Sequence, residues 1–390
     1  MPAIDSALLE YATAAQKVYL NAIAEHGSKG AAAKALGRNQ RSLERSIASL
    51  YREAARRGYS PEHDQTHPCP DTQQIKGVST QYGPDGEILS QWVKTSAKQE
   101  QLETVLREFA EGLVDDVKGR AKPVKCPATD SANALTVYPM GDPHIGMFAW
   151  NQDAGNDYDL SIATDENRAA TDRLARCAPR TRDALIINLG DYFHADNMES
   201  RTAKSGHVLD VDTRITKVVR VGVDLMRYKI EAALKIHERV QVRNAVGNHD
   251  ELLSSMLSLI LEAYYSKEPR VKVETSPRAV WYHRFGKCLI GVTHGDRIKL
   301  EDLNGVMAVD AAEDWGKTEH RYWYTGHIHH RKMLELRGCV VESFRSLVAK
   351  DAYADSHGYR AGRDMCCIVL DKDHGEVERH RIDISMLKAA

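Results

Sequence analysis

The chain has 390 residues, of which 42% are hydrophobic and 28% charged, values typical of a globular protein with about two to three domains. A net charge of −2 excludes polyanion binding by bulk charge, so any affinity for nucleic acid needs a local basic patch. The sequence has neither an apolar run of about 18 residues nor a secretory signal pattern. Seven scattered cysteines favour a reducing compartment, so we expect a cytoplasmic protein with no membrane partner.

Residues 1–68 are predicted to form a helical module. Apolar spacing predicts helices over Gln16–His26 and Ala31–Leu36, and a third from Asn39 or Gln40 to about Arg57. Residues 28–58 hold eight Lys and Arg against two Glu, a net charge of +6. The small residues of the second helix and the glycine between it and the third, Gly37, resemble a helix-turn-helix.

A helix-turn-helix implies DNA contact at the start of its third helix. The candidate DNA-binding residues there are Asn39, Gln40, Arg41 and Arg45. The alternative is a small helical bundle whose basic face is only solvated.

Residues 69–134 are predicted to connect this module to the rest. Gly77–Tyr82 and Glu87–Thr95 read as two strands joined by a Gly-Pro-Asp-Gly turn, which predicts a hairpin. Ala97–Val117 has the pattern of a charged amphipathic helix. Ala121–Ala134 is polar and rich in turn residues, and is predicted to be a linker.

Residues 135–390 contain five apolar strands that each end in a glycine-bearing turn with Asp, Asn or His. These strands are predicted over Leu135–Met140, Ala184–Leu189, Val240–Ala245, Lys287–Val292 and Arg321–Thr325. Helical segments over Asp165–Cys177, Asp212–Glu238 and Glu251–Tyr265 separate the early strands, which predicts an α/β domain with a parallel or mixed sheet. Since sites assemble at the carboxyl ends of such strands, we expect the turn residues to converge.

The side chains in these turns are typical of a metal site. Eleven of the 17 histidines lie between His144 and His330. Carboxylates, an amide oxygen and several imidazoles, without cysteine, suit divalent manganese, iron or zinc better than calcium or magnesium alone. The alternative for any one of them is local turn capping.

The five turns, in order, read DxH, GDxFH, GNHD, a lone His and GHxH. This order resembles the calcineurin-like metallophosphoesterase family over Leu135 to about Leu347. The resemblance implies a four-layer α/β/β/α sandwich, and a phosphodiesterase in which a hydroxide bridges two divalent ions, most readily manganese, with iron, zinc or magnesium as alternatives.

The resemblance also assigns roles to residues. The implied metal ligands are Asp142, His144 and His329 for the first ion, Asn248, His294 and His327 for the second, and Asp191 as the bridge. His249 matches the histidine near the leaving-group oxygen, and Asp250 is expected to orient it.

Two motifs are similar to those of double-strand-break-repair nucleases. Asp142–Gly146 reads DxHxG and Gly190–His194 reads GDxFH, which implies a second catalytic histidine at His194. The alternative is that His194 orients a metal ligand. Only 61 residues follow His329, too few for the docking helices of that family, so its ATPase partner is doubtful here.

The combination of modules is similar to phage-encoded helix-turn-helix phosphoesterases, which would place the protein in the host cytoplasm. The predicted function is a metal-dependent DNA nuclease with DNA as its partner. One alternative is a hydrolase of small phosphoesters or cyclic nucleotides recruited by the DNA-binding module, and another is an inactive regulator. The sequence leaves dimerisation open.

Overall fold

The computed structural model describes residues 7–57, 59–60, 73–82, 88–97, 117–197, 200–201 and 208–387. The chain divides into two compact units, Met1–Phe109 and Ala110–Ala390. The finer division at residues 68 and 134 stays a prediction. Within the described ranges, no helix is both long and apolar enough to cross a membrane.

The N-terminal unit contains the three predicted helices. After a 3-10 turn at Leu8–Tyr11 they are α1 Ala14–His26, α2 Lys29–Ala35 and α3 Gln40–Arg56. A capping box between Thr13 and Gln16 begins α1, and Gly27 ends it in the left-handed conformation, with a φ of 75°. The apolar side chains of α3 form one stripe that is buried in the core of this unit (Leu43, Ile47, Leu50 and Ala54).

The predicted hairpin is present in the same unit. Strands β1 Gln73–Tyr82 and β2 Ile88–Ala97 pair antiparallel. The predicted turn between them lies outside the described residues, as do residues 98–116 of the helix predicted over Ala97–Val117. Its first residue, Ala97, belongs to β2 instead.

The C-terminal unit is built on two sheets. The first has the order β13-β12-β3-β4-β5-β6, and β3 to β6 run parallel. Its strands are β3 Ser131–Met140, β4 Thr181–Asn188, β5 Arg239–Asn244, β6 Val271–Glu274, β12 Asp364–Asp371 and β13 Gly375–Asp383. The second has the order β10-β11-β9-β8-β7. Its strands are β7 Trp281–Phe285, β8 Cys288–Val292, β9 His320–Thr325, β10 Lys332–Leu336 and β11 Cys339–Ser343.

Helices cover the outer face of each sheet. In chain order, the helices of this unit within the described residues are α4 Asn151–Ala154, α5 Leu160–Cys177, α6 Ile215–Leu234, α7 Glu251–Tyr264, α8 Leu303–Asp310, α9 Ala312–Lys317 and α10 Ala352–Ser356. Two further 3-10 turns lie at Leu300–Asp302 and Ile384–Met386.

Alternation along the strands produces three apolar layers. In β4, Ile186 packs with the helices α5 to α7, whereas Leu185 and Ile187 pack against the second sheet. In β8, Ile290 faces the first sheet and Leu289 faces α8. The predicted α/β/β/α sandwich is therefore confirmed.

The sheets also explain where a site can form. Strands β3, β4 and β5 are parallel neighbours, as are β8 and β9, so the turns after each set emerge at one edge. Each of the five predicted motifs follows one of these strands.

Candidate metal centre

Most of the predicted ligands have a strained backbone. Six described non-glycine residues have positive φ, and five of them are the predicted ligands Asp142, His144, Asp191, His327 and His329. Such conformations cost on the order of 1–3 kcal/mol each and persist where the surroundings enforce them, typically at functional sites. The strain therefore indicates that these turns serve to position the side chains of the predicted ligands.

Glycines let the turns approach the carboxylates. A Cβ on Gly247 would lie 2.1 Å from Asp191 Oδ1, and one on Gly326 would lie 2.4 Å from Asp142 Oδ1. At Gly190 it would lie 2.5 Å from His294 Nδ1. Any larger residue would force the turns apart, which explains the glycine in these motifs.

The first group of donors converges around His144. Its Nε2 lies 3.1 Å from His329 Nε2 and 4.0 Å from Asp191 Oδ2. His329 Nε2 lies 3.6 Å from Asp142 Oδ2. The structure thus brings together the three residues predicted for the first ion.

The second group converges around His294. Its Nε2 lies 3.1 Å from Asp191 Oδ2 and 3.0 Å from Asn248 Oδ1. Donor atoms of Asp191, His294 and His327 all lie within 4.8 Å of one another. Asp191 Oδ2 is close to both groups, as a bridging carboxylate requires. We call these seven residues the metal centre.

The donor set fits divalent cations. Asp142 is fully buried, yet neither carboxylate oxygen has a hydrogen-bond partner among the described residues. Burial, together with neighbouring histidines, lowers the pKa of His144 well below its ordinary value and that of His329 to about 4, so both rings offer lone pairs. A buried carboxylate without a hydrogen-bond donor is costly unless a cation satisfies its oxygens.

Charge is concentrated at the bridge. Burial alone would raise the pKa of Asp191, but His294, His144 and His249 hold it well below its ordinary value. Burial alone would lower the pKa of His294, but Asp191 and Asp142 raise it to about 10. Asp191 is therefore ionised over the physiological range, the state a bridging ligand needs.

His249 lies beside the first group. Its backbone N–H donates to Asp191 Oδ1 at 2.8 Å, and its ring Nδ1 lies 2.9 Å from the carbonyl of His194. The ring centroid is 4.8 Å from that of His144. With Nδ1–H donating to the carbonyl, Nε2 is the nitrogen left for substrate.

His194 is buried against the same ligand. Its Nδ1 lies 3.1 Å from His144 Nδ1, which leaves His144 Nε2 facing His329. Burial and His249 lower its pKa to about 3. This contact favours the orienting role for His194 over direct proton transfer.

Asp250 takes a different position from the one expected. Its carboxylate accepts from the backbone N–H groups of Phe193 and Gly247, at 3.0 and 3.3 Å, and from Ser254 Oγ at 2.6 Å. The His249 ring instead pairs with the His194 carbonyl. The expected role is corrected: Asp250 joins two turns and leaves the ring of His249 to a backbone group.

Two supporting residues lie outside the predicted set of site residues. Ser346 donates through Oγ to the carbonyl oxygen of Asp142. Asp196 accepts from the first N–H groups of α7, Leu252 and Leu253, at 2.8 and 2.9 Å. Ser346 lies 204 residues from its partner, so no local pattern could have indicated it.

The candidate DNA-binding residues lie at the start of α3, on its exposed side. Asn39 is the N-cap, and its Oδ1 accepts from Arg41 and Ser42 at 3.0 and 3.3 Å. Gln40 donates to Glu44 at 2.9 Å. Arg41 and Arg45 are exposed, so both are available to phosphates.

Comparisons with known proteins give weak similarities. No family model and no curated protein matches the chain. Among solved structures, a dimetal phosphatase from Danio rerio is 10% identical with a TM-score of 0.37, over 64% of this chain and 99% of that one. An archaeal phosphodiesterase is 12% identical with a TM-score of 0.32, over the same shares of the two chains.

A third similar structure is Vps29 from Entamoeba histolytica, determined with zinc. It is 13% identical with a TM-score of 0.27, over 64% of this chain and 99% of that one. Similarity at this level does not assign a function, so the assignment depends on the side-chain geometry.

Proposed function

We propose that this chain is a dinuclear metal-dependent phosphodiesterase of the calcineurin-like type that cleaves DNA. The observation that carries the proposal is Asp191 Oδ2, which lies within 4.0 Å of His144 Nε2 and 3.1 Å of His294 Nε2. A carboxylate shared between two groups of imidazole, amide and carboxylate ligands is the arrangement that a two-ion hydrolase needs.

Divalent cations bound there would supply Lewis acidity toward phosphoryl oxygens and a water of lowered pKa. Asp142, His144 and His329 would hold one ion, and Asn248, His294 and His327 the other. Manganese, iron and zinc all accept this donor set. The buried oxygens of Asp142, otherwise without hydrogen bonds among the described residues, would then be satisfied.

His249 would act on the substrate. The His194 carbonyl fixes its ring, and the backbone bond to Asp191 fixes its place beside the metal centre. The protonated ring would donate to the departing oxygen through Nε2. His194 would position His144, and Asp250 would hold the turns that carry Asp191 and His249.

DNA is proposed as the substrate because of the N-terminal unit. Lys and Arg outnumber Glu by six over residues 28–58, while the whole chain is slightly acidic. Arg41 and Arg45 lie at the exposed start of α3, where a helix contacts phosphates and base edges. Such contacts would recruit a polynucleotide rather than a small ester.

The test is hydrolysis by the full chain. Purified protein would be incubated with end-labelled single- and double-stranded DNA, RNA and a chromogenic phosphodiester, with manganese or with a chelator. The proposal predicts manganese-dependent cleavage of DNA that is lost in His249→Ala. Hydrolysis of the chromogenic diester alone would contradict the nuclease function, and hydrolysis of nothing would contradict the phosphodiesterase itself.

A further inference from the structure

The segment after His144 exposes two large aromatic rings. Met147 and Ala149 are 3% and 5% exposed, whereas Phe148 and Trp150 are 40% and 54% exposed. Alternate residues of an extended segment share a side, so both rings lie on the outer side of this segment. Exposed apolar surface next to a polar site is typical of a binding surface.

These rings line a surface cavity of about 320 Å³. Its lining residues, which we call the aromatic pocket, are Phe148, Ala149, Trp150, Asp153, Asp210 and Ala352. The volume is at the lower end of the roughly 300–1,000 Å³ of small-molecule sites, so it suits one planar group. Among the described residues, the lining includes two acidic side chains, Asp153 and Asp210, and no basic one, so it does not favour a phosphate.

Both walls of the pocket connect to the metal centre. Phe148 is four residues after His144, a span of at most about 14 Å. A second wall is formed by Ala352, in the segment that begins at Ser346, and Ser346 donates to the carbonyl of Asp142.

A second set of contacts joins the two walls to each other. Lys350 Nζ donates to the carbonyl of Ala154, and Asn156 Nδ2 donates to the carbonyl of Lys350 at 3.2 Å. The pocket is therefore preformed beside the proposed reaction site.

We propose that the aromatic pocket binds one unpaired nucleobase of a single-stranded substrate whose phosphodiester lies at the metal centre. Exposed rings offer a stacking face that any base can use. The carboxylates of Asp153 and Asp210 can accept from an exocyclic amino group, as carboxylates do from cytosine N4. The inference rests on the proposed phosphodiesterase function and narrows its substrate to unpaired nucleic acid, since a paired base is held in its stack.

The test is equilibrium binding of the full chain in a chelator, where no cleavage occurs. The probes are labelled oligodeoxycytidine and an abasic oligomer of equal length, which carry the same phosphates. Wild-type protein is expected to bind the cytidine oligomer roughly 5- to 100-fold more tightly, from stacking of one base. The double variant Phe148→Ala, Trp150→Ala should bind both oligomers equally.

Met333→Ala removes an apolar side chain that is 50% exposed on β10 and should keep the preference. Trp150→Gln alone should reduce the preference, and it tests the pocket should the double variant fail to fold. Equal binding of both oligomers by wild type, or a preference that survives in the variants, would overturn the proposal. Binding of choline that the variants lose, without a base preference, would assign the pocket to a cation instead and overturn it too. Because nothing is hydrolysed in this assay, its result is separate from that of the phosphodiesterase test.

Discussion

The metal centre and the basic face of α3, which carries Arg41 and Arg45, differ in how strongly their structure points to a ligand. The metal centre holds five residues at positive φ and a buried carboxylate without a hydrogen bond among the described residues. The basic face is an ordinary capped helix with exposed side chains. Strain and unsatisfied acceptors persist only where something compensates them, so the first region indicates cations by itself. The second region indicates phosphate only through its charge.

The largest effect is expected from Asp191→Asn, which removes charge from the bridge. Metal affinity should fall by more than the roughly 10- to 100-fold that is lost when a residue bonded to a metal ligand is removed. The rate of hydrolysis should fall with it. Metal content after dialysis, measured by mass spectrometry, is the readout. Asp183→Asn is the control, since Asp183 lies on β4, the strand that precedes Asp191, and pairs with Arg239 at the surface. Full retention of two ions by Asp191→Asn would contradict a bridging role.

His249→Ala separates catalysis from metal binding. Loss of a proton donor should lower kcat by about 10²- to 10⁴-fold while both ions stay bound. His194→Ala should instead weaken metal binding by roughly 10- to 100-fold, because it removes the partner of His144. Kinetics at saturating manganese, paired with a manganese titration, would check both. If His249→Ala lost metal as readily as His194→Ala, the separate roles of His249 in proton donation and His194 in metal binding would be contradicted.

Gly326→Ala tests the close packing around Asp142. The added Cβ would lie 2.4 Å from Asp142 Oδ1, so the turn must move and metal affinity should fall by roughly tenfold to hundredfold. Gly305→Ala is the matched control, because a Cβ there meets nothing within 4 Å inside α8. It should raise stability by up to about 1 kcal/mol. Manganese affinity is measured by calorimetric titration, and stability by Tm. Equal manganese affinity in the two variants would contradict the close packing around Asp142.

The smallest effect is expected on the basic face. Replacing Arg41 and Arg45 by alanine should reduce the slope of log affinity for DNA against log salt by about one for each arginine. Fluorescence anisotropy over a range of salt concentrations measures the slope. Arg278→Ala is the control, because its side chain is 69% exposed in the C-terminal unit, and it should leave the slope unchanged. An unchanged slope in the double variant would remove α3 from the DNA interface.

The strands and their turns were predictable because each apolar run ends at a glycine-bearing motif. The start of β3 was not predictable, since Ser131 to Asn133 are not buried and carry no apolar signal. The position of Asp250 depends on the backbone of Phe193, 57 residues away, which no local pattern encodes. The exposure of Phe148 and Trp150 was not predictable either, because residues 147–150 read Met-Phe-Ala-Trp and are apolar throughout.

The central claim is a pair of cations that share Asp191. Anomalous diffraction from crystals soaked in manganese measures this directly. The expected result is two peaks about 3.5–4 Å apart, each next to a carboxylate oxygen of Asp191 and among its own histidines. A single peak, or manganese bound away from His144 and His294, would contradict the account.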